Sequence, residues 1–272
     1  MSIVAAIQMA SGPNLDANLM ESERLIAEAV RAGAELVCLP ENFAFMGKHE
    51  QDKVALRETF GEGPIQRFLA QQARQHGIWL VGGTVPLVAE AEDKVRAACL
   101  LFDPSGACVA RYDKIHLFDV EMPDGGERYN ESETIEPGDR VVVADTPFGR
   151  LGLAVCYDLR FPELFRAMLD QGMELCAVPS AFTAVTGRPH WETIVRARAI
   201  ENLCHVIAPG QGGYHVNGRE THGDSMIVDP WGNVLSRRER GTGVVVAEVD
   251  PERTAATRKH FPSIDHRRIH CR

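Results

Sequence analysis

Short apolar runs alternate along the first hundred residues with segments whose apolar positions recur at helical spacing. The opening SIVAAIQM is continuous and brief, and reads as a buried strand. From Asn14 to Arg31, the residues Leu15, Leu19, Leu25, Ile26 and Ala29 fall at roughly helical spacing, and Gly33 marks a stop. AELVCLP predicts a second buried strand, GPIQRFLAQQARQHG a helix ending at Gly77, and IWLVGGTV a third strand. VRAACLLF and CVARYDK follow as two strands joined by DPSG, whose proline and glycine suit a tight turn. Residues 119 to 138, DVEMPDGGERYNESETIEPG, are polar and irregular, and a loop of that length inside a compact unit points to function. GRLGLAV then predicts another strand, and FPELFRAMLDQG a helix that opens near Pro162 and stops at Gly172.

After the long loop the pattern starts again. GAELVCLPENFAF (33 to 45) matches GMELCAVPSAFTA (172 to 184) as G-x-E-L-x-x-x-P-x-x-F, and FDPSGACVARY (102 to 112) matches VDPWGNVLSRR (228 to 238) through D-P-x-G. The two pairs keep their order, so an internal duplication explains both. Each half supplies a mixed sheet with helices on its outer face, and two such sheets packed together give an α-β-β-α sandwich with a pseudo-two-fold repeat. The expectation is one α/β domain over residues 1–272.

Composition narrows the chemistry. The 272 residues are 44% hydrophobic and 25% charged, enough for a large core, and the formal charge is −9. That balance disfavours nucleic acid and anionic membrane as partners, because either needs a basic surface. No run reaches transmembrane length, and the start lacks the basic region of a signal peptide. A small molecule or another protein is the expected partner. Seven cysteines without a C-x-x-C pair argue against a disulfide framework and a zinc ribbon, and for a reducing, cytoplasmic setting. Cys38, Cys99, Cys108, Cys176 and Cys204 lie in or beside apolar runs and read as core, whereas Cys271, in the terminal tail, gives no signal.

Cys156 differs. It sits between the strand GRLGLAV and the helix from Pro162, where free N–H groups and a helix N-terminus favour a thiolate, although a packed thiol accounts for it equally well. A cysteine nucleophile needs a base. His116, His190 and His222 are candidates, and so is Glu41, which closes AELVCLPE at a strand end; a solvent-facing carboxylate is the alternative. Lys114 in RYDKIHLF poses the same choice. GQGGYHVNG lacks the dinucleotide fingerprint, and the terminal HRRIHCR offers no closed ligand set, so neither nucleotide nor metal is expected.

LPENFAF with Glu41, YDKIHLFD with Lys114 and GLAVCYDLRFPE with Cys156 together resemble the Glu-Lys-Cys triad of the nitrilase superfamily of carbon–nitrogen hydrolases. The resemblance extends through PHWETIVRARAIEN and HGDSMIVDPWGNVL. FDVEMP, CYDLRFPEL, PSAFTAVTG and GDSMIVDPWG are most similar to the Nit-type amidases, especially those that hydrolyse deaminated glutathione. It implies the α-β-β-α fold, no cofactor, a homodimer, and Glu131 as a second glutamate that holds Lys114, although Glu127, Glu133 and Glu136 crowd the same loop. In it Glu41 is the proton carrier, Cys156 the nucleophile, and Lys114 with the N–H of Tyr157 the oxyanion donors. Phe43, Phe45 and Met46, and across the repeat Phe182 and Thr183, are expected to line the pocket. Asp158 and Arg160 fit the pattern, with Arg160, beside Asp158 and Glu163, as either a structural ion pair or a substrate contact. The implied reaction is hydrolysis of a 2-oxo-acid amide, either deaminated glutathione or 2-oxoglutaramate. A nitrilase proper is disfavoured because CYDL stands where such enzymes carry CWEN, and a non-catalytic member is disfavoured by retention of all three residues.

Overall fold

In the computed structural model, which describes residues 1–121 and 128–269, the first half runs β1 (Ser2–Gln8), α1 (Leu15–Arg31), β2 (Leu36–Cys38), α2 (Pro64–His76), β3 (Trp79–Val81), β4 (Val85–Val88), β5 (Val95–Phe102) and β6 (Cys108–Asp113). A short hairpin, β7 (Asp119–Glu121) with β8 (Arg128–Asn130), leads into the second half. That half comprises β9 (Val143–Thr146), β10 (Gly149–Leu153), α3 (Pro162–Asp170), β11 (Leu175–Ala177), α4 (Ala184–Asn202) and β12 (His205–Ala208). It continues with β13 (Gly212–Tyr214), β14 (Glu220–His222), β15 (Ser225–Val228), β16 (Val234–Arg238), β17 (Gly243–Val249) and α5 (Pro251–His260).

Local chemistry sets the helix ends. The Asn14 side chain accepts the Ala17 N–H at 3.0 Å to open α1. Proline stands at the first turn of both α2 and α3, and Gly77 closes α2 in the left-handed conformation at φ 65°.

The repeat is visible in the pairing. One sheet runs β17-β1-β2-β3-β5, with β6 on the far side of β5, and the other runs β9-β10-β11-β12-β15-β16. Both read antiparallel, parallel, parallel, antiparallel, antiparallel in that order. Even the irregularities match: the register shifts at Leu101/Phe102 in one sheet and at Ile227/Val228 in the other. In each following turn an aspartate, Asp103 or Asp229, accepts the N–H groups two and four residues on. The inner faces of the two sheets share one apolar core, from Val4, Leu36 and Leu101 to Leu153, Ala177 and Ile227. α1 and α2 cover the first sheet, and α3 and α4 pack on the second, which makes the α-β-β-α order.

Four expectations need correction. IWLVGGTV does not run as one strand: β3 stops at Val81 and β4 begins only at Val85, because Gly83 turns at φ 53° and lies so close to the Pro40 carbonyl that a β-carbon would overlap it. Residues 119 to 138 are not wholly irregular, since β7 and β8 pair there. GQGGYHVNG is not a bare glycine loop, since it holds β13 and the start of the turn that leads into β14. Cys108 is exposed, because it opens the edge strand β6 on its solvent side. Cys271 and Glu127 lie outside the described residues.

Candidate active site

Three strand exits converge at one end of the sandwich. Beyond β2 the Leu39 N–H still bonds the Val81 carbonyl at 2.9 Å, so Glu41 leaves the sheet from a fixed point. Gln211, buried in the other half, donates its Nε2 to the Glu41 carbonyl at 3.0 Å. Beyond β6, Lys114 is fixed by its N–H on the Ala97 carbonyl at 3.0 Å and by its own carbonyl, which accepts Gly138 N–H at 2.9 Å. Beyond β10, Cys156 takes φ 49°, a left-handed conformation that a non-glycine residue rarely adopts, and its N–H bonds the Pro179 carbonyl at 2.9 Å. The turn that follows, Cys156–Arg160, is a 3-10 turn whose early N–H groups, including that of Tyr157, have no partner within the turn.

Lys114 is completely buried. Its Nζ donates to Glu41 Oε1 at 2.9 Å and to both oxygens of Glu131 at 2.9 and 2.7 Å. Burial alone would lower its affinity for a proton, but Glu131, Glu41 and Cys156 outweigh it and hold the ammonium well above the usual lysine range. Glu131 is itself anchored by the Phe118 N–H at 2.8 Å. Its neighbours go elsewhere, Glu133 to the Asn130 side chain and Glu136 to Arg96.

Burial pushes the Cys156 thiol well above its ordinary range; Glu41 adds to that, and Lys114 opposes it without prevailing. Lys114 and the Ala181 N–H do pull towards the thiolate, but desolvation and the Glu41 charge exceed that pull, and α3 begins only at Pro162. The Ala181 N–H points at Sγ from 3.5 Å.

The cleft above Cys156 is lined by Glu41 and Glu131 and, among the residues expected there, by Tyr157, Phe182 and Thr183. Phe45 lines an adjoining crevice that shares Glu41, Asn42 and Glu131, and Met46 is buried beside a small outer pocket. Phe43 does not line the cleft: it is fully buried in the core between the first sheet and its helices, packed near Gly83. His116, His190 and His222 lie outside the cleft lining. His116 places Nδ1 2.7 Å from Asp158 and stacks on Phe161 at 3.7 Å, His190 meets Arg160 at 3.2 Å, and His222 lies beside Asp224.

Asp158 is fully buried and accepts from Tyr112 Oη at 2.7 Å and Val155 N–H at 2.8 Å as well as from His116, so it fastens the cysteine turn. It makes no bond to Arg160, which instead faces the cleft over Phe182 and Tyr157. Sequence reasoning missed Glu50, Phe118, Tyr129 and Arg219 in the lining. The only signal for them is that they flank or occupy loops with no periodic pattern of their own. Among the described residues, no group of three or more His, Cys, Asp or Glu side chains is placed to hold a metal ion.

Residues 3–259 match the family model described as carbon-nitrogen hydrolase. The chain belongs to this family. The reaction of this carbon–nitrogen hydrolase is hydrolysis of a C–N bond. A Synechocystis relative named deaminated glutathione amidase is 46% identical over 268 residues, covering 97% of each chain. The human protein of the same name is 40% identical over 271 residues, 98% of this chain and 83% of that one. Among solved structures, the C. elegans NitFhit protein superposes with a TM-score of 0.91 at 38% identity; the match covers 98% of this chain and 65% of that one. No helix among the described residues is long and apolar enough to cross a membrane.

Proposed function

We propose that this carbon–nitrogen hydrolase is an amidase that cleaves deaminated glutathione to 2-oxoglutarate and cysteinylglycine through a thioester on Cys156. The single observation that carries the mechanism is the buried Lys114 ammonium held between Glu41 and Glu131 beside the thiol. Glu41 takes the thiol proton as Sγ bonds to the amide carbon. Lys114 Nζ and the Tyr157 N–H stabilise the tetrahedral oxyanion, each such donor contributing roughly 3–4 kcal/mol. Glu41 then returns the proton to the leaving nitrogen as the C–N bond breaks. Water attacks the thioester, giving one proton to Glu41, which passes it to Sγ as the acid departs. Burial and the Glu41 charge hold the thiol above its ordinary range, which supports a carboxylate as the base.

The two relatives named for deaminated glutathione support the substrate. Arg160 supports the acid side: its guanidinium faces the cleft and suits the carboxylate of a 2-oxo acid. Tyr157, Phe182 and Thr183 flank the same space, with Phe45 at its margin. The second reading is an ω-amidase on 2-oxoglutaramate, which presents the same carbonyl. Side-by-side kinetics decide between them: deaminated glutathione is expected to exceed 2-oxoglutaramate in kcat/KM by at least about tenfold, only about 1.4 kcal/mol of transition-state stabilisation. Equal or reversed values assign the ω-amidase.

We further place residues 1–272 in one domain, supported by β17 completing the sheet that β1 begins. A reducing, cytoplasmic setting is supported by the free thiols of the described cysteines. Pairing with a second copy is supported by the apolar patch of Ile200, Trp231 and Phe261, the last two 58% and 50% exposed with rings 5.3 Å apart. Light scattering that finds monomer alone at micromolar concentration refutes the dimer.

A further inference from the structure

An aromatic row along the cleft carries a cation at each end. Arg160 lies over Phe182 at 5.2 Å and Tyr157 at 5.8 Å, Tyr157 meets Phe118 at 5.0 Å, and Phe118 meets Tyr129 at 5.0 Å. Tyr129 in turn carries the Arg219 guanidinium at 4.5 Å. Both arginines line the cleft that contains Cys156.

Arg219 is built in place. It sits on the β13–β14 turn, its N–H donating to Asn217 Oδ1 at 3.0 Å and its carbonyl accepting the His215 N–H at 2.9 Å. Asn217 donates to the Gly47 carbonyl at 3.3 Å, and His215 Nδ1 lies 2.8 Å from the Ser11 carbonyl, so the turn is tied to the first half of the molecule. Arg219 Nη2 bonds Glu50 Oε1 at 3.0 Å, and Lys53 holds the other Glu50 oxygen at 2.6 Å. Although burial works against it, Lys53 and Arg219 pull the Glu50 carboxyl down to about 2, so the trio carries a net positive charge at neutral pH. Only part of the guanidinium fork is used by Glu50, and a carboxylate arriving in the cleft meets a pre-positioned cation.

We propose that Arg219 binds the terminal carboxylate of a dipeptide leaving group and so sets the preference for such a substrate over a free amide. This rests on the deaminated glutathione reading, in which the substrate has a carboxylate on each side of the scissile amide. Arg160 takes the oxo-acid end, Arg219 the glycine end, and the reacting carbonyl lies between them at Cys156. Binding energy from the distal carboxylate orients the amide and can therefore appear in kcat as well as KM.

The test uses the full chain and three substrates: deaminated glutathione, its analogue with the glycine carboxylate replaced by a carboxamide, and 2-oxoglutaramate. The native protein is expected to favour the carboxylate over the carboxamide by about tenfold or more in kcat/KM. In Arg219→Gln that ratio is expected to fall to near one, with Arg219→Lys between, and the preference over 2-oxoglutaramate to fall in parallel. A ratio that persists in Arg219→Gln overturns the assignment, as does a loss shared in the same proportion by all three substrates, which marks a damaged loop. A native protein that hydrolyses deaminated glutathione without favouring the carboxylate overturns the Arg219 role alone. One that turns over only 2-oxoglutaramate overturns the substrate reading and this role together.

Discussion

The two halves share a sheet order and turn chemistry, yet differ at every position that matters for reactivity. Register places Met9 after β1 where Cys156 stands after β10, since Val4 pairs Leu36 as Leu151 pairs Leu175. The same alignment sets Glu41 against Ser180 and, through the matched hairpins, Lys114 against Arg240. Ser180 turns its hydroxyl back to the Val178 carbonyl at 2.9 Å, and Arg240 is exposed. The repeat supplies geometry twice and chemistry once. Two of the three reactive groups come from the first half and one from the second, so the site exists only where the halves meet.

That comparison can be broken by substituting equivalent positions in pairs. The largest effect is expected at the first pair: Cys156→Ala should lower turnover by about 10⁵-fold or more while leaving the melting curve near native. Met9→Ala should keep the reaction and cost about 2–5 kcal/mol of stability, because Met9 is buried in the outer core. Steady-state rates beside thermal melts separate the two. Next comes Glu41→Gln, which preserves shape but removes the proton carrier and should cost about 10²–10⁴ in kcat. Ser180→Ala should lose only about 1 kcal/mol of stability, the value of one buried hydrogen bond. Near-native turnover in Glu41→Gln would show that the base lies elsewhere. Lys114→Gln leaves two carboxylates facing each other without a cation, and should lower kcat by about 10²–10³ and stability by about 3–5 kcal/mol. Arg240→Gln should stay within about 0.5 kcal/mol of native on chemical denaturation.

The smallest difference is a pH effect. His205 in β12 occupies the place of Trp79 in β3, each opposite a leucine of the preceding strand. Burial pulls the His205 pKa down to about 4. The unfolded chain therefore binds a proton that the folded one refuses, so this contribution is full above about pH 6.5 and is lost as the pH falls towards 4. Melting temperatures followed across that range should fall less steeply in His205→Asn; an unchanged slope would place the acid sensitivity in other groups.

Elements buried on both faces, such as β1, β2 and β5, were legible because nothing competes with burial in choosing their residues, and α1 and α2 because their periodic faces end at Gly33 and Gly77. The duplication was legible in residues that shape backbone, namely the prolines, the glycines and the aspartates of two turns. Glu41, Lys114 and Cys156 stood out only jointly, each having an ordinary explanation alone. Phe43 was misjudged because repeat equivalence with Phe182 says nothing about how tightly Gly83 crowds Pro40 and draws the Phe43 ring into the core. The protonation of Cys156 depends on a balance of burial and two opposite charges, which spacing along the chain does not encode. Arg219 and Tyr129 escaped because loop residues obey no period; their partners are set by where two hairpins happen to land.

The pairing of β17 with β1, from Ser2 opposite Val249 to Gln8 opposite Gly243, has a consequence during synthesis. As the chain leaves the ribosome, β1 emerges well before β17, so one edge of the first sheet stays without its antiparallel neighbour until β17 follows. The second sheet is assembled from strands between Val143 and Arg238, a contiguous stretch that can pair by itself. Long-range closure of this kind is slow, and an open apolar edge invites pairing with other nascent chains. Ribosome-bound chains stopped before Gly243 therefore carry that edge open, and β17 acts as the clasp that closes it.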